Sequence, residues 1–128
     1  MLPSIDTAFL DGKSLKYEVI VEAGMTCVTV PALPLPSGLN LAQADLLLRL
    51  NPGYPDVPPD MWWFSPAVRR LDGSGIPATE SIENHLGRSW QRWSRHLDAN
   101  RWMAGVDCLE SYFALIYAEL AKAARGAA

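Results

Sequence analysis

The sequence predicts a single α+β domain: an antiparallel meander of four strands packed by one C-terminal amphipathic helix, with a short N-terminal helix and a long loop insertion. Short β-branched and apolar runs divided by turn residues fill the first half, whereas a period of three and four residues appears only near the end. Size agrees, because 128 residues suit one compact domain that buries roughly two-thirds of its unfolded surface. Hydrophobic residues at 49% and charged residues at 20% exclude disorder along the whole chain. A net charge of −3 and a pI near 5.2 argue against a dedicated nucleic-acid binder. Two cysteines, Cys27 and Cys108, are too few for a disulfide framework and have no metal-ligand spacing. The apolar runs fall short of a membrane span, and residues 1–6 lack a basic-then-apolar signal pattern. The expectation is a cytoplasmic domain with no membrane association, cofactor or metal. Its two excesses are 10 prolines and 5 tryptophans, the latter all between Trp62 and Trp102.

Along the chain, Asp6 caps a short helix through Leu10, and Asp11-Gly12 forms a turn. Tyr17 to Val21 is a β-branched strand, turned by Ala23-Gly24 into a hairpin with Thr26 to Val30. Pro31 to Gly38 is extended, because each proline pushes its predecessor out of the helical region. Ala44 to Leu50 is a short apolar strand and Met61 to Phe64 a bulky one. From Pro66 to Arg101 no period of 2 or 3.6 is evident, so this stretch reads as loop, with Asp72-Gly73-Ser74-Gly75 inside it. Val106, Leu109, Phe113, Ile116, Tyr117 and Leu120 then define a helix from Val106 to Arg125, with Gly126 just past its end and a small-residue tail that frays from Ala121. No repeat or linker divides the chain, so residues 1–128 form one domain with its core at about 15–120.

The densest punctuation is Asn51-Pro52-Gly53-Tyr54-Pro55-Asp56-Val57-Pro58-Pro59-Asp60, between two apolar strands. Read physically, Tyr54-Pro55 and Pro58-Pro59 stiffen a connection that cannot join a ladder. Tyr-Pro-x-x-Pro-Pro in this setting also resembles the signature of the ubiquitin-conjugating (UBC) fold, and Trp102-Met103-Ala104 before the last helix is similar to that fold's helix entry. The fit is closer to the bacterial (prokaryotic) ubiquitin-conjugating-enzyme-like family of the UBC/RWD superfamily. Ala44 to Leu48, Gly53 to Pro55, Pro58 to Met61, Trp90 to His96 and Gly105 to Asp107 resemble its blocks in order. The resemblance implies a UBC-like fold and a role in attaching a ubiquitin-like protein to targets. It further implies an activating enzyme encoded in the same operon, a JAB-type isopeptidase among its partners, and a part in phage defence.

Conjugating enzymes of the conventional kind continue from this strand into His-Pro-Asn and, shortly afterwards, a nucleophilic cysteine. Here the chain reads Ser65-Pro66-Ala67, keeping Pro66 alone, and the cysteine's place falls at Gly73 to Ile76. A thiolate suits the task because a thiol with a pKa of about 8.5 is partly ionised near neutrality. Cys27 lies mid-strand and Cys108 one turn into the final helix, where each reads as a small hydrophobe. Cys108 is the less improbable substitute, being near a helix N-terminus.

The remaining candidates lie in the insertion. His85 and His96 are its only side chains that titrate near neutrality unperturbed, and Ser74 is one of several hydroxyls available for nucleophilic work. The plainer alternative has His96 and Arg95 bonding backbone carbonyls to pin a long loop. Trp90 and Trp93, three apart, either form one apolar edge against the sheet or, with Arg92 and Arg95, present a basic, aromatic surface to a protein partner. Arg88, Arg92, Arg95 and Arg101 against the single acid Asp98 could also attract nucleic acid, but the host domain is acidic and shows no recognition fold. Two functions therefore compete: a transfer enzyme with a non-canonical active site, and a catalytically inactive module that presents a ubiquitin-like protein to a partner enzyme. A third, a small-molecule enzyme using the two histidines, has no substrate or metal spacing behind it.

Overall fold

The computed structural model describes residues 2–97 and 101–126. Helix α1 (Ser4–Gly12) leads into strands β1 (Glu18–Glu22), β2 (Met25–Pro34), β3 (Gln43–Leu50), β4 (Trp62–Ser65), β5 (Ile82–His85) and β6 (Arg88–Trp93), followed by helix α2 (Leu109–Ala124). The strands form one antiparallel sheet in the order β1-β2-β3-β4-β6-β5. The sheet thus has six strands where the sequence reading expected four. The stretch expected to be loop from Pro66 to Arg101 supplies the β5–β6 hairpin, which joins the sheet through Trp62↔Trp93, Trp63↔Arg92 and Phe64↔Gln91.

Alternation assigns each strand's side chains to two layers. Val28, Val30, Leu46, Leu48, Leu50, Trp62, Phe64 and Trp93 face the helices and bury Leu10 of α1 with Leu109, Phe113, Ile116 and Leu120 of α2. The two helices touch edge-on through Phe9 and Phe113, whose ring centroids are 5.4 Å apart. On the opposite face Cys27, Leu47, Trp63 and Trp90 form a second, smaller core, flanked by Met25, Met61 and Leu86. The hairpin tip curls back over this face, where the Leu86 N–H donates to Glu22 Oε2 at 3.0 Å. Arg88 bonds Asp45 at 3.0 Å there, but that pair is well exposed and adds at most about 1 kcal/mol. Burying an indole or a leucine is worth about 1.5–3 kcal/mol each, so Trp63, Trp90 and Leu47 hold the hairpin down.

Asp6 is no helix cap. Pro3 occupies the N-cap position, and Asp6 lies fully buried in the first turn. Its carboxylate accepts the Leu109 backbone N–H at 2.9 Å and the Tyr54 hydroxyl at 2.7 Å. One side chain therefore joins α1, the proline turn and the start of α2. Trp102 completes the arrangement, donating Nε1–H to the Pro55 carbonyl at 2.8 Å beside the Tyr54 ring. Pro59 is buried and Pro58 exposed, and the Tyr112 hydroxyl of α2 donates to the Met61 carbonyl at 2.8 Å. The turn is thus fastened at both ends.

Helix α2 begins three residues later than the periodicity suggests. Val106, which the heptad-like count includes, is 67% exposed in a turn closed by its N–H on the Met103 carbonyl. Tyr117 is likewise exposed. Cys108 is the N-cap, not a residue one turn inside the helix: its side chain accepts the Ser111 N–H, while its own N–H donates to Ser111 Oγ at 3.4 Å. At the other end the helix continues through Ala124 with Ala123 buried, so fraying does not begin at Ala121. Ala127 and Ala128 lie outside the described residues. Strand β1 starts at Glu18, not Tyr17, and β2 runs on through Pro31 to Pro34 after a register shift between Val30 and Leu33.

Removing the Asp6 carboxylate strands two donors at once. Asp6→Ala is expected to destabilise the domain by about 2–4 kcal/mol, measurable by urea unfolding, with Asp6→Asn losing less because its amide oxygen still accepts one of the two bonds.

Candidate functional site

The segment leaving β4 is tethered from three sides. Asn40 reads Ala67 and Arg69: its Nδ2–H donates to the Ala67 carbonyl at 3.2 Å, its Oδ1 accepts the Arg69 N–H at 2.8 Å, and its own backbone N–H donates to the Arg69 carbonyl. From β6, the buried Gln91 brackets Val68, accepting its N–H at 2.8 Å and donating to its carbonyl at 3.0 Å. Trp93 Nε1–H donates to the same Gln91 oxygen at 3.0 Å, which fixes the amide's orientation. Arg70, buried, reaches α2: Nε–H donates to the Ala123 carbonyl at 2.8 Å, and Nη1–H to the Gly75 carbonyl at 2.5 Å. Gly38, at φ 107°, lets the strand connection approach this end of α2, where any Cβ would strike the Ala124 carbonyl. Pro66 begins this segment, after a cis Ser65-Pro66 peptide bond.

These tethers shape a pocket of about 190 Å³ lined by Arg70, Ser74, Gly75, Ile76, Thr79 and Gln91. Ser74 sits in it with its hydroxyl donated to Asp72 Oδ1 at 2.6 Å and its backbone N–H donated to the same oxygen at 2.9 Å. The Ser74 hydroxyl, then its N–H, and the charge of Arg70 together hold the Asp72 carboxyl below the usual carboxylate range. A carboxyl held below its ordinary range is a weaker general base than an unpaired one, and its two bonds to Ser74 fix the direction of the hydroxyl. Gly75 occupies the middle of the stretch where a conjugating enzyme's cysteine is expected. A Cβ there meets nothing within 4 Å.

The two histidines are in separate places and, among the described residues, share no hydrogen-bond partner with each other or with Ser74. His85 ends β5 on the second face of the sheet, with Nε2 3.1 Å from Glu83 Oε1 and its ring edge-on to Trp63 at 5.4 Å. Glu83 also accepts Trp63 Nε1–H at 2.9 Å and Arg92 Nη1–H at 2.8 Å. Burial pushes the Glu83 carboxyl up, but the bonds from His85 and Trp63 and the Arg92 charge outweigh it and hold the group below its ordinary range. His96 follows β6 and is 63% exposed, with Nδ1 2.5 Å from Asp60 Oδ1. That leaves Nε2 directed away from its carboxylate partner.

The expected partner surface is largely turned inward. Trp90 and Trp93 do not form one edge: three apart on a strand, they point to opposite faces, and both are buried. Arg88 stacks over Trp90, its guanidinium carbon 4.5 Å from the ring centroid. Arg92 is held by Glu83, Ser94 and Ser81. Arg95 bonds Glu119 at 2.6 Å and the Pro77 carbonyl at 2.8 Å while lying over Trp93. The basic patch on this hairpin is therefore paired with acids of its own chain, although Asp98, the acid the sequence set against it, lies outside the described residues. Both cysteines are buried. Cys27 belongs to the second core, and Cys108 caps the N-terminus of α2, about 22 Å along the helix axis from Ala123, where Arg70 is bonded. Among the described residues no three His, Cys, Asp or Glu side chains are grouped to hold a metal ion, and no helix is long and apolar enough to cross a membrane.

A curled antiparallel sheet with helices on one face, a proline-stiffened turn before β4 and a tethered loop after it define an E2-like architecture. The chain matches Prokaryotic E2 family E over residues 2–123 and belongs to that family. No curated protein and no solved structure matches it.

Asn40, Arg70 and Gln91 organise the pocket without any sequence signal of their own. Arg70 looks no different from its exposed neighbour Arg69, and Gln91 becomes legible only once β6 is known to be a strand.

Because the folded-state pKa of Glu83 is depressed, its stabilising contribution is present above the ordinary carboxylate range and is lost as pH falls through the folded value. Acidification from pH 6 to pH 3 is therefore expected to loosen the β5–β6 hairpin before the sheet melts, read as a falling protection factor at the Trp90 amide once its exchange rate is referred to the intrinsic rate at each pH. In Glu83→Gln that pH dependence should be lost.

Proposed function

We propose that this protein receives or positions a ubiquitin-like protein delivered by an activating enzyme, and does so as a binding module rather than through a cysteine thioester. The observation that supports this reading is the loop after β4. It is held on both sides by Arg70, Gln91 and Asn40, its one central hydroxyl is bonded to a weakly basic carboxylate, and both cysteines are buried elsewhere. A rigid loop with no activated nucleophile suits presentation of a bound protein to a partner enzyme. On this proposal the protein works in the cytoplasm beside an activating enzyme from its operon and a JAB-type isopeptidase, in a modification system serving phage defence.

Incubation with that activating enzyme, ATP and the ubiquitin-like protein is expected to give a non-covalent complex and no adduct on this chain. An adduct removed by hydroxylamine or mild alkali would overturn the binding reading. A further expectation concerns Gly75→Cys, for which the loop has room: if the bound protein's carboxyl end lies at this loop, the variant gains a hydroxylamine-sensitive adduct that the parent lacks.

One observation favours transfer chemistry instead. The Asp60 carboxylate orients the exposed His96 ring by Nδ1, and among the described residues Nε2 has no hydrogen-bond partner, which is the arrangement a general base needs. In that reading the nucleophile lies between Ser74 and His96, and His85, held by Glu83 on the other face of the sheet, takes no part. His96→Ala then abolishes adduct formation without altering urea unfolding, whereas unchanged adduct formation dismisses it.

A further inference from the structure

Strand β1 is an outer edge of the sheet, and it is unusually apolar for one. Its sequence is Glu-Val-Ile-Val-Glu, with Val19 39%, Ile20 42% and Val21 68% exposed. Edges are normally protected by charge, proline or cover, because their free N–H and C=O groups template another strand.

Which groups are free follows from the turn. Ala23 at φ 53° and Gly24 at φ 77° make a two-residue hairpin loop between Glu22 and Met25. The residues flanking such a loop exchange both of their hydrogen bonds, and the state then alternates along the ladder. Glu22, Ile20 and Glu18 therefore bond to β2, while Val21, Val19 and, by extension, Tyr17 direct their N–H and C=O groups outward. Those side chains all lie on the helix side of the sheet, since Val19 pairs with the inward-facing Val28.

We propose that this edge pairs with β1 of a second copy of the chain, antiparallel and two-fold symmetric about Val19. This goes beyond the functional reading above and does not depend on it. The register is selected by charge. Centred on Ile20, the strands would set Glu18 against Glu22 twice, and directly opposed like charges are unfavourable. Centred on Val19, with the strand extended back by two residues, Lys16 lies opposite Glu22 twice, Glu18 opposite Ile20, and Tyr17 opposite Val21. The outward groups at 17, 19 and 21 then meet those at 21, 19 and 17, so every free pair is satisfied. The bond from Leu86 occupies Glu22 Oε2 alone, so Oε1 remains for the Lys16 of the other copy. An edge of about seven residues buries far less than the ~1,200 Å² of a standard interface, so the dimer is weak, with a dissociation constant on the order of 100 μM.

Sedimentation equilibrium of the full chain tests this directly. Monomer is expected at about 10 μM and mostly dimer at about 1 mM. Lys16→Glu and Glu22→Lys should each weaken self-association by about tenfold or more, and an equimolar mixture of the two should restore it, because each then meets the opposite charge. Val19→Pro removes only an outward N–H and is expected to abolish the dimer while circular dichroism stays unchanged. A monomer at every concentration would leave the edge to a strand of another protein and overturn the proposal. A dimer indifferent to Lys16→Glu, or a mixture that fails to re-associate, overturns it as well.

Discussion

A sheet that buries apolar side chains on both faces needs cover on both, and α1 with α2 can cover only one. The second face is closed by the sheet's own β5–β6 hairpin, which curls over Cys27, Leu47 and Trp63 and brings Trp90 with it. Much else follows from that closure. It fixes where β6 runs, and so carries Gln91 of β6 to Val68 and Arg95, just past the strand, to Glu119. The loop after β4 thus takes its shape from a hairpin that exists to cover the other side of the sheet. The basic and aromatic residues of the hairpin are consumed in the same task, which is why a cluster rich in arginine and tryptophan offers a partner so little free surface.

The elements that could be read from sequence are those whose side chains repeat the geometry in hydrophobicity. Strands β2, β3 and β4 are apolar on the inward face, and the first hairpin is announced by Ala23-Gly24. The β5–β6 hairpin was hidden because its inward positions on the second face include Glu83 and His85, which pair with each other and with Arg92. Polar side chains that satisfy one another on a half-buried face leave no alternation to detect. Tryptophans three apart misled for a related reason: the spacing suits one face of a helix but opposite faces of a strand. At α2, the apolar Val106 falls in phase with the helix by coincidence, and the true start is marked instead by Cys108, a residue type rarely read as a cap.

The candidate site was legible in outline and not in content. The proline turn located the loop, and Ser74 does line its pocket. The residues that hold the loop act over separations of 23 to 53 positions. Hydrogen-bonding capacity is visible in a side chain, but its partner depends on the fold. The two histidines stood out for chemistry alone, and the fold then set one behind the sheet and the other at its rim.

The two long-range bonds at the ends of α2 also balance the charge of the helix. Asp6 presents a carboxylate to the first N–H of the helix, and Arg70 presents a guanidinium to one of its last carbonyls. Aligned peptide dipoles leave about half a unit of positive charge at a helix's start and half a unit of negative charge at its finish. An anion at the first and a cation at the second neutralise both, and because each is buried, salt screens neither strongly. The macrodipole of α2 is therefore cancelled within the domain, and neither helix end is left to attract a charged ligand.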